Sequence, residues 1–352
     1  MRLAERPIPW PHRGEVLLRV RAFGASGQDL QQRRARFVAP SSAPDVLGLE
    51  VAGEVVAIGT DVTELQEGDY VCSLLPGGGY AEFCTTQAKQ CWPLPMGMGW
   101  EMSAALPVGL CTSWNCLFMM GEATAGQTVL IHGAAGGVGH LMVQIAREFG
   151  LHVITTSSSK ERADFCTSLG AHVSIVRSAE SFVEVVKEST LGSGVDLLVD
   201  CIGGPTVNDN LQVLKIGGKY VLLASDVGAG KVDLQKIIDK RITLTGASLR
   251  SRESSFRQHL VAEVQDKVWP LVETKAIAPR IQKVCCTTCI YVELSKRSAH
   301  SPPSLALEHT LAIRLFVVLP LFSCSASYPR VPSIIVQTGR LARRSERRKG
   351  TG

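Results

Sequence analysis

A short apolar run, a glycine-rich turn and an amphipathic stretch follow one another between residues 128 and 150. The run predicts a buried strand and the stretch predicts a helix. In that context Gly136 lets backbone N–H groups approach a pyrophosphate, and Gly139 lets the helix pack close to the strand. The helix N-terminus favours phosphate. The segment predicts a dinucleotide site, with a plain structural turn as the alternative, and its candidate residues are Ala134, Gly136, Gly137, Val138 and Gly139.

The next predicted strand, residues 152–157, indicates which dinucleotide is bound. Its end should lie beside the adenosine ribose, where sites for NAD usually carry Asp or Glu. This chain has hydroxyl groups and cations there instead, namely Ser157, Ser158, Ser159, Lys160 and Arg162. These groups suit a 2′-phosphate, so we expect NADPH in preference to NADH. The three serines could alternatively cap the following helix, and capping is compatible with binding.

The chain divides into two halves of different pattern. Short strands and turns predict an antiparallel, barrel-like half, with strands at residues 15–20, 53–58 and 69–72. From residue 128 to about 249 strands alternate with helices, which predicts a doubly wound parallel sheet with further strands at 195–202, 219–223 and 241–245. Gly203 and Gly204 follow one of these strands, where the backbone must turn tightly or approach a ligand, so we include them among the cofactor-binding candidates.

Composition indicates a chain of about two domains in a reducing compartment. The chain has 352 residues, of which 45% are hydrophobic, enough for a large core. Its eleven cysteines are scattered and no secretory signal precedes them, so we expect free thiols and a cytoplasmic location. The proline-broken N-terminus makes a poor transit helix, which leaves organelle import as a minor alternative.

The basic charge belongs to the tail, residues 285–352. The tail has ten Lys and Arg against three Asp and Glu, which leaves the body slightly acidic, and so nucleic-acid binding by the body is not expected. Periodicity stops near Val284, and we expect most of the tail to be disordered. Its apolar stretch is too short for a membrane span. A minor alternative gives the basic tail a role in binding RNA or an acidic surface.

Taken together, these motifs make the chain resemble the medium-chain dehydrogenase/reductase superfamily, and within it the zinc-free quinone oxidoreductases of the p53-inducible type. The matching segments are residues 45–56, 74–83, 134–139, 200–204, 244–252 and 269–271. The resemblance implies a GroES-like β-barrel substrate domain, a Rossmann domain and an active site between them. It also implies NADPH-dependent reduction of quinones or activated enones, a homodimer, and no zinc, because Leu49 stands where zinc-dependent relatives carry His.

The resemblance also implies roles for individual residues. Ser26 and Phe37 take positions where relatives commonly show Asn and Tyr at the substrate pocket, and Thr112 matches a pocket Thr. Val108 replaces a Glu of relatives. Arg162 falls where relatives place a cation for the 2′-phosphate. Arg177 falls where they often show Tyr, and its guanidinium could stack on the cofactor or pair with phosphate.

The ends of the chain depart from the family pattern. We expect the GroES-like part over residues 1–99, the Rossmann part over 100–255, a return segment over 256–284 and the atypical tail beyond it. Relatives have an opening strand and a closing strand that this sequence does not predict. Foreign or unspliced coding material joined after Val284 would explain why the family pattern stops there. The alternative function is therefore a catalytically impaired NADPH-binding relative that acts by association.

Overall fold

The computed structural model describes residues 2–33, 43–224, 228–286, 316–319 and 333–337. The strands are β1 (Arg2–Arg6), β2 (Glu15–Ala25), β3 (Glu50–Ile58), β4 (Tyr70–Leu74), β5 (Phe83–Gln87), β6 (Cys91–Pro93), β7 (Thr128–His132), β8 (His152–Ser157), β9 (Val173–Val176), β10 (Val195–Asp200), β11 (Leu214–Leu222), β12 (Thr243–Gly246), β13 (Lys283–Cys286), β14 (Phe316–Leu319) and β15 (Ser333–Gln337). The α-helices are α1 (Gly27–Arg33), α2 (Trp100–Ala104), α3 (Pro107–Trp114), α4 (Gly139–Glu148), α5 (Lys160–Ser168), α6 (Phe182–Ser189), α7 (Val207–Val213), α8 (Leu234–Lys240), α9 (Ser254–Lys267) and α10 (Trp269–Glu273).

The second half forms a parallel sheet of six strands in the order β12-β11-β10-β7-β8-β9. Its central strands are continuous apolar runs buried on both faces, as parallel sheets covered by helices require. From β7 the chain continues outward on one side through β8 and β9. It then crosses back to β10, which pairs with β7 on the opposite side, so the order of the strands reverses at β7. Ligands of such sheets bind outside the carboxyl ends of the strands at this switch point. The expected doubly wound sheet is confirmed.

The first half is an antiparallel sheet in which the long strand β2 pairs with both β3 and β5. Register shifts in the β2–β3 ladder bend the strands, which lets a sheet curl into a barrel. Its interior is an apolar cluster that includes Val16, Leu18, Val55 and Val71. The expected mixed α/β architecture, with an antiparallel GroES-like part and a parallel part, is thus confirmed.

Both ends of the chain differ from the expectation. An opening strand does exist, because β1 pairs antiparallel with β15 from the tail. Another tail strand, β14, pairs with β2, and β13 pairs with β14 in parallel. The expectation that this chain has neither an opening strand nor strands beyond Val284 is therefore wrong. The sheet edge at β2 presents unpaired backbone groups that any extended segment can satisfy, whatever its sequence.

A mostly apolar helical run connects the two halves. Residues Trp100–Met120 are long and apolar enough to cross a membrane, but they are mostly buried inside the protein. The run is interrupted before α3 by Pro107 and ends in a π-helical turn, Asn115–Met120. It packs between the sheets within one large core cluster, so its apolar character is that of a core helix.

The return segment also joins the halves. Trp92 from β6 stacks on Trp269 from α10, with ring centroids 5.2 Å apart, and its Nε1–H donates to the carbonyl of Val261 at 3.1 Å. Both indole rings are buried. These contacts tie the antiparallel sheet to α9 and α10 and fix the walls of the space between the halves.

Candidate active site

The glycine turn after β7 has the predicted form. The N–H of Gly136 donates to the carbonyl of Gly133 at 2.9 Å, and α4 begins at Gly139. A Cβ at Gly139 would lie 2.6 Å from Cα of Ala134, closer than non-bonded carbon atoms approach. Only glycine lets the helix start this close to the strand. Its first N–H groups therefore remain at the carboxyl edge of the sheet, where an anion is favoured.

A cavity of about 320 Å³, the cleft cavity, lies between the turn and the antiparallel half. Six of the predicted residues line it: Ser26, Thr112, Gly136, Gly137, Val138 and Gly139. Ala134 is fully buried behind the turn and does not line the cavity. The volume falls in the range of small-molecule sites, and the wall is mainly apolar with a few polar groups.

A second depression, the arginine recess, opens beside the same turn at the end of β8. It is lined by Gly133, Ala135, Gly136, Ser157, Ser158, Arg162 and Arg177, none of which is acidic. Arg162 Nη1 donates to Oγ of Ser158 at 2.8 Å. The Nε of Arg177 is buried and has no hydrogen-bond partner in the described part of the chain. Burial lowers the pKa of Arg177, Cys201 and Asp200 raise it in part, and the charge of Arg162 lowers it.

Unpaired buried donors are rare in folded proteins because they lose hydration without compensation. Two neighbouring guanidinium groups also repel each other. Both costs are offset if an anion lies between the arginines, so the recess has the chemistry of an anion site. Binding of a phosphate at this strand end stays a prediction.

The remaining predicted cofactor residues lie elsewhere. Ser159 caps α5, its Oγ accepting from the N–H of Arg162 at 3.4 Å, as the capping alternative proposed. Lys160 is exposed and forms an ion pair with Asp164 along α5. Gly203 and Gly204 form the turn after β10 and line neither space described above. Phe37 lies outside the described residues.

A buried polar network supports the sheet edge under the cleft cavity. Asn210 Nδ2 donates to Asp200 Oδ2 at 3.0 Å and to the Tyr220 hydroxyl at 2.9 Å. The amide oxygen of Asn210 therefore faces Nε2 of His132, 2.8 Å away. Thr156 Oγ1 lies 2.7 Å from the other ring nitrogen, Nδ1. Burial lowers the pKa of His132, so the ring that lines the cleft cavity is neutral.

A second histidine connects the glycine turn to the return segment. Nδ1–H of His140 donates to the carbonyl of Gly136 at 3.0 Å, and Nε2 accepts from the N–H of Arg280 at 3.0 Å. Gln144, one turn later on α4, bonds both backbone groups of Ala278. Burial lowers the pKa of His140 to about 4, which keeps the ring neutral as its acceptor nitrogen requires.

Two buried carboxyl groups lie on the antiparallel side. Asp29 accepts from the N–H and the hydroxyl of Ser26 at 2.8 and 2.9 Å, and burial raises its pKa. Glu50 lines the cleft cavity and accepts from the N–H of Val108 at 2.9 Å. Leu49, at the position of the zinc relatives' histidine, is buried in the core. In the described part of the chain no three His, Cys, Asp or Glu side chains converge as a metal site.

The sequence analysis did not identify several lining residues, among them Gln28, Gln31, Glu50, His132, Met142 and Cys201. Their positions along the chain give no shared motif. Strand pattern alone does not single out Glu50 either, since Glu54 on the same strand pairs on both sides and is only half-buried.

The glycine-turn parallel sheet, the antiparallel partner and the cleft between them define a medium-chain dehydrogenase/reductase. Two family descriptions match the chain, "Alcohol dehydrogenase GroES-like domain" at residues 12–96 and "Zinc-binding dehydrogenase" at residues 137–266. Rat quinone oxidoreductase is 30% identical over 71% of this chain and 77% of its own length, and the mouse protein is 30% identical over 74% and 81%. The chain belongs to the quinone oxidoreductase family of this superfamily.

Solved structures agree in fold. Escherichia coli quinone oxidoreductase complexed with NADPH has a TM-score of 0.76 at 25% identity, covering 90% of this chain and 95% of its own. A mycobacterial protein complexed with NADPH has a TM-score of 0.77 at 28% identity, with the same coverage. Relatives with other activities share the fold, such as the CurK enoyl reductase with a TM-score of 0.73 at 26% identity.

Proposed function

We propose that this chain is an NADPH-dependent reductase that transfers hydride to quinones or activated enones and needs no zinc. The observation that carries the proposal is the arginine recess beside the glycine turn. It encloses only about 10 Å³, but it shares Gly133 and Gly136 with the cleft cavity, so an extended ligand in the cleft could place a phosphate at its mouth. An ADP-type ligand with a 2′-phosphate would satisfy the turn's N–H groups and the two arginines together. The two relatives solved with NADPH support this choice.

The mechanism assigns binding and orientation to the chain's own residues. Bound NADPH supplies the hydride. Gly136, Gly137 and the first turn of α4 would hold the pyrophosphate, and Arg162 and Arg177 the 2′-phosphate. The apolar cleft wall of Val138, Met142 and Ala105 would exclude water and hold a flat acceptor against the nicotinamide. Ser26 and Thr112 are hydroxyl groups of the same wall that could contact the substrate or the nicotinamide end.

Zinc independence rests on the chemistry of the acceptor and on this chain's residues. A quinone or an enone carries its own electron sink, so no Lewis acid is needed to polarise it. Leu49 replaces a ligand of the zinc-dependent relatives, and the described residues have no alternative ligand cluster. Full activity after dialysis against a strong chelator is the expected result.

Cofactor choice gives the sharpest test. The double variant R162A/R177M should lose about 100-fold or more in affinity for NADPH, measured by fluorescence titration, while its affinity for NADH changes little. K160A is the matched control, because it removes one cation of α5 that is exposed and paired with Asp164 outside the recess. If the wild type binds both coenzymes equally, or if K160A has the same effect, the recess is not the phosphate site.

The second candidate function is an NADPH-binding relative without turnover. Val108 carries no polar group where relatives have Glu, and Ser26 is smaller than the Asn of relatives. Quinone-dependent oxidation of NADPH, followed for a panel of small quinones beside the binding titration, separates the two functions. Binding without oxidation would select the second.

We also propose a homodimer and a cytoplasmic location. The edge strand β12 pairs with β11 on one side, while Leu244 on β12 and Leu234 and Ile238 on α8 are exposed apolar residues. A second copy could continue the sheet and cover them. Analytical ultracentrifugation of wild type and L244E would test this.

The cysteines support the proposed cytoplasmic location. Those at 72, 84, 91, 111, 116, 166 and 201 are free thiols, as expected in a reducing compartment.

A further inference from the structure

We propose that Glu50 is the general acid of the cleft, donating the proton that a quinone oxygen takes up as hydride arrives. This inference rests on the proposed function and adds a catalytic residue to it. Glu50 is the only carboxylic acid among the described residues that line the cleft cavity. Its side chain is buried, with 1% of the residue exposed, so the cavity is the route by which another molecule reaches it.

The carboxyl group is held from one side and free on the other. Oε2 accepts from the N–H of Val108 at 2.9 Å. Oε1 makes no hydrogen bond with any residue that the structure describes. A Cβ at Gly24 would lie 2.1 Å from Oε1, so the glycine on β2 provides the space that this oxygen occupies. An acid with one anchored oxygen and one unbonded oxygen can present its proton to a substrate.

The surroundings keep the group protonated. Burial raises the pKa of Glu50 to about 8; the Val108 N–H lowers it, and the charge of Asp29 raises it further. Among the described residues, two thiols also interact with Glu50, Cys72 from β4 and Cys111 from α3, and burial raises the pKa of both. At neutral pH a neutral carboxylic acid therefore faces the cavity, the state that a proton donor requires.

Other polar groups of the wall are less suited to the task. His132 uses both ring nitrogens in the network below the cavity. The Ser26 hydroxyl already donates to Asp29 at 2.9 Å. Thr112 carries an aliphatic hydroxyl, whose acidity is too low for proton transfer at neutral pH. The Cys201 thiol donates to the carbonyl of His132 at 3.2 Å. Among these described groups, Glu50 has a proton that is both available and acidic enough.

The step balances with what the proposed function supplies. A quinone gains one hydride with its electron pair and one proton, and becomes a hydroquinone. The O–H bond of Glu50 breaks and an O–H bond of the product forms, which leaves Glu50 as a carboxylate. Water that enters the cavity as the hydroquinone leaves returns the proton to Glu50.

The test compares wild type, E50Q and E50D in quinone-dependent NADPH oxidation between pH 5 and pH 10. The wild-type kcat should fall as pH rises through about 8. The kcat of E50Q should no longer fall with rising pH in this way, and at neutral pH it should be about 100-fold or more below that of wild type. The affinity of E50Q for NADPH should stay within about twofold of the wild-type value. E50D retains an acid and should recover part of the activity. The matched control is E54Q on the same strand, which removes a partly exposed acid paired with Arg21.

A readout independent of turnover uses stability. Because the folded pKa of Glu50 lies above its ordinary value, wild type should lose stability relative to E50Q as pH rises from about 5 to 8. Equal pH profiles of wild type and E50Q, in kcat and in stability, would overturn the inference while leaving the proposed function intact. Wild type that binds NADPH and reduces no quinone would overturn both.

Discussion

The amide oxygen of Asn210 accepts the Nε2–H of His132 at 2.8 Å, which fixes the tautomer of the histidine. The assignment follows from the partners of the amide nitrogen, which donates to Asp200 and Tyr220 and so turns the oxygen toward the ring. Nδ1 of His132 then accepts from the Thr156 hydroxyl. The chain of bonds joins four neighbouring strands, β11, β10, β7 and β8, at the edge where the cofactor is proposed to bind.

Replacing Asn210 should therefore destabilise the fold. N210L leaves the Nε2–H of His132 without a partner in a buried site and removes one of the three hydrogen bonds that Oδ2 of Asp200 accepts, which should cost about 1–3 kcal/mol in the free energy of unfolding. Urea denaturation would measure it. N208L is the control, because Asn208 lies on the same helix, is half-buried, and makes one bond to the exposed N–H of Asp233. Equal losses in the two variants would contradict a special role for the network.

His140 should make the protein sensitive to acid. Burial lowers its pKa from 6.5 to about 4. Between these pH values the histidine is protonated in the unfolded chain but neutral in the native state. The free energy of unfolding is therefore not reduced by His140 above pH 6.5. As the pH falls from 6.5 towards 4, protonation of this residue in the unfolded chain lowers it by at most about 3 kcal/mol. H140Q cannot titrate, so its unfolding free energy should fall less over this range.

Thermal melts of wild type and H140Q between pH 4 and pH 7.5 would measure the difference. H12Q, a change at an exposed histidine, serves as the control and should follow wild type. A constant offset between wild type and H140Q at every pH would show that only packing had been lost.

The parts of the site that the sequence predicts are those built within one local segment. The turn between β7 and α4 and the polar end of β8 each lie within a few residues of one another, so glycine spacing and residue type suffice to predict them. The resemblance added Arg177, which shares the recess with Arg162 although fifteen positions separate them in the chain.

Contacts between distant segments could not be predicted in this way. Glu50 and Val108 are 58 residues apart, and Arg250 and Pro76 are 174 apart. No local pattern encodes such a pairing, which depends on how the two halves dock. The tail strands β14 and β15 were missed for a related reason, because β14 pairs with β2 and β15 pairs with β1 through backbone groups that carry no sequence signal.

Gly139 should tolerate no side chain. In G139A the new Cβ would meet backbone atoms of Ala134 and Gly133 at 2.6–2.7 Å, which cannot rotate away as a side chain would. Overpacking of this kind costs about 1–3 kcal/mol, and the shift of α4 would move the turn that is proposed to hold the pyrophosphate. NADPH affinity should fall about tenfold or more in calorimetric titration. G246A, where nothing lies within 4 Å of the added Cβ, is the control and should bind like wild type.

Arg250 should hold the two halves in register around the cleft. Its side chain is buried, and it donates to the carbonyl of Pro76 at 2.7 Å and to Oε1 of Gln32 at 2.5 Å, both on the antiparallel side. Its charge also lowers the pKa of the buried Asp29. R250M would keep most of the packing but remove these bonds and leave Asp29 without its nearby cation.

We expect R250M to lose about 2–3 kcal/mol of unfolding free energy and to raise the KM for quinone, because Ser248 in the same loop lines the cleft cavity. Urea denaturation and steady-state kinetics would measure the two effects. The control is R252M, two residues further on, whose exposed guanidinium lies over the ring of Phe256. If both variants behave alike, the contact between the halves does not depend on Arg250, and the cleft is shaped by the Trp92–Trp269 stack and the helical run 100–120 alone.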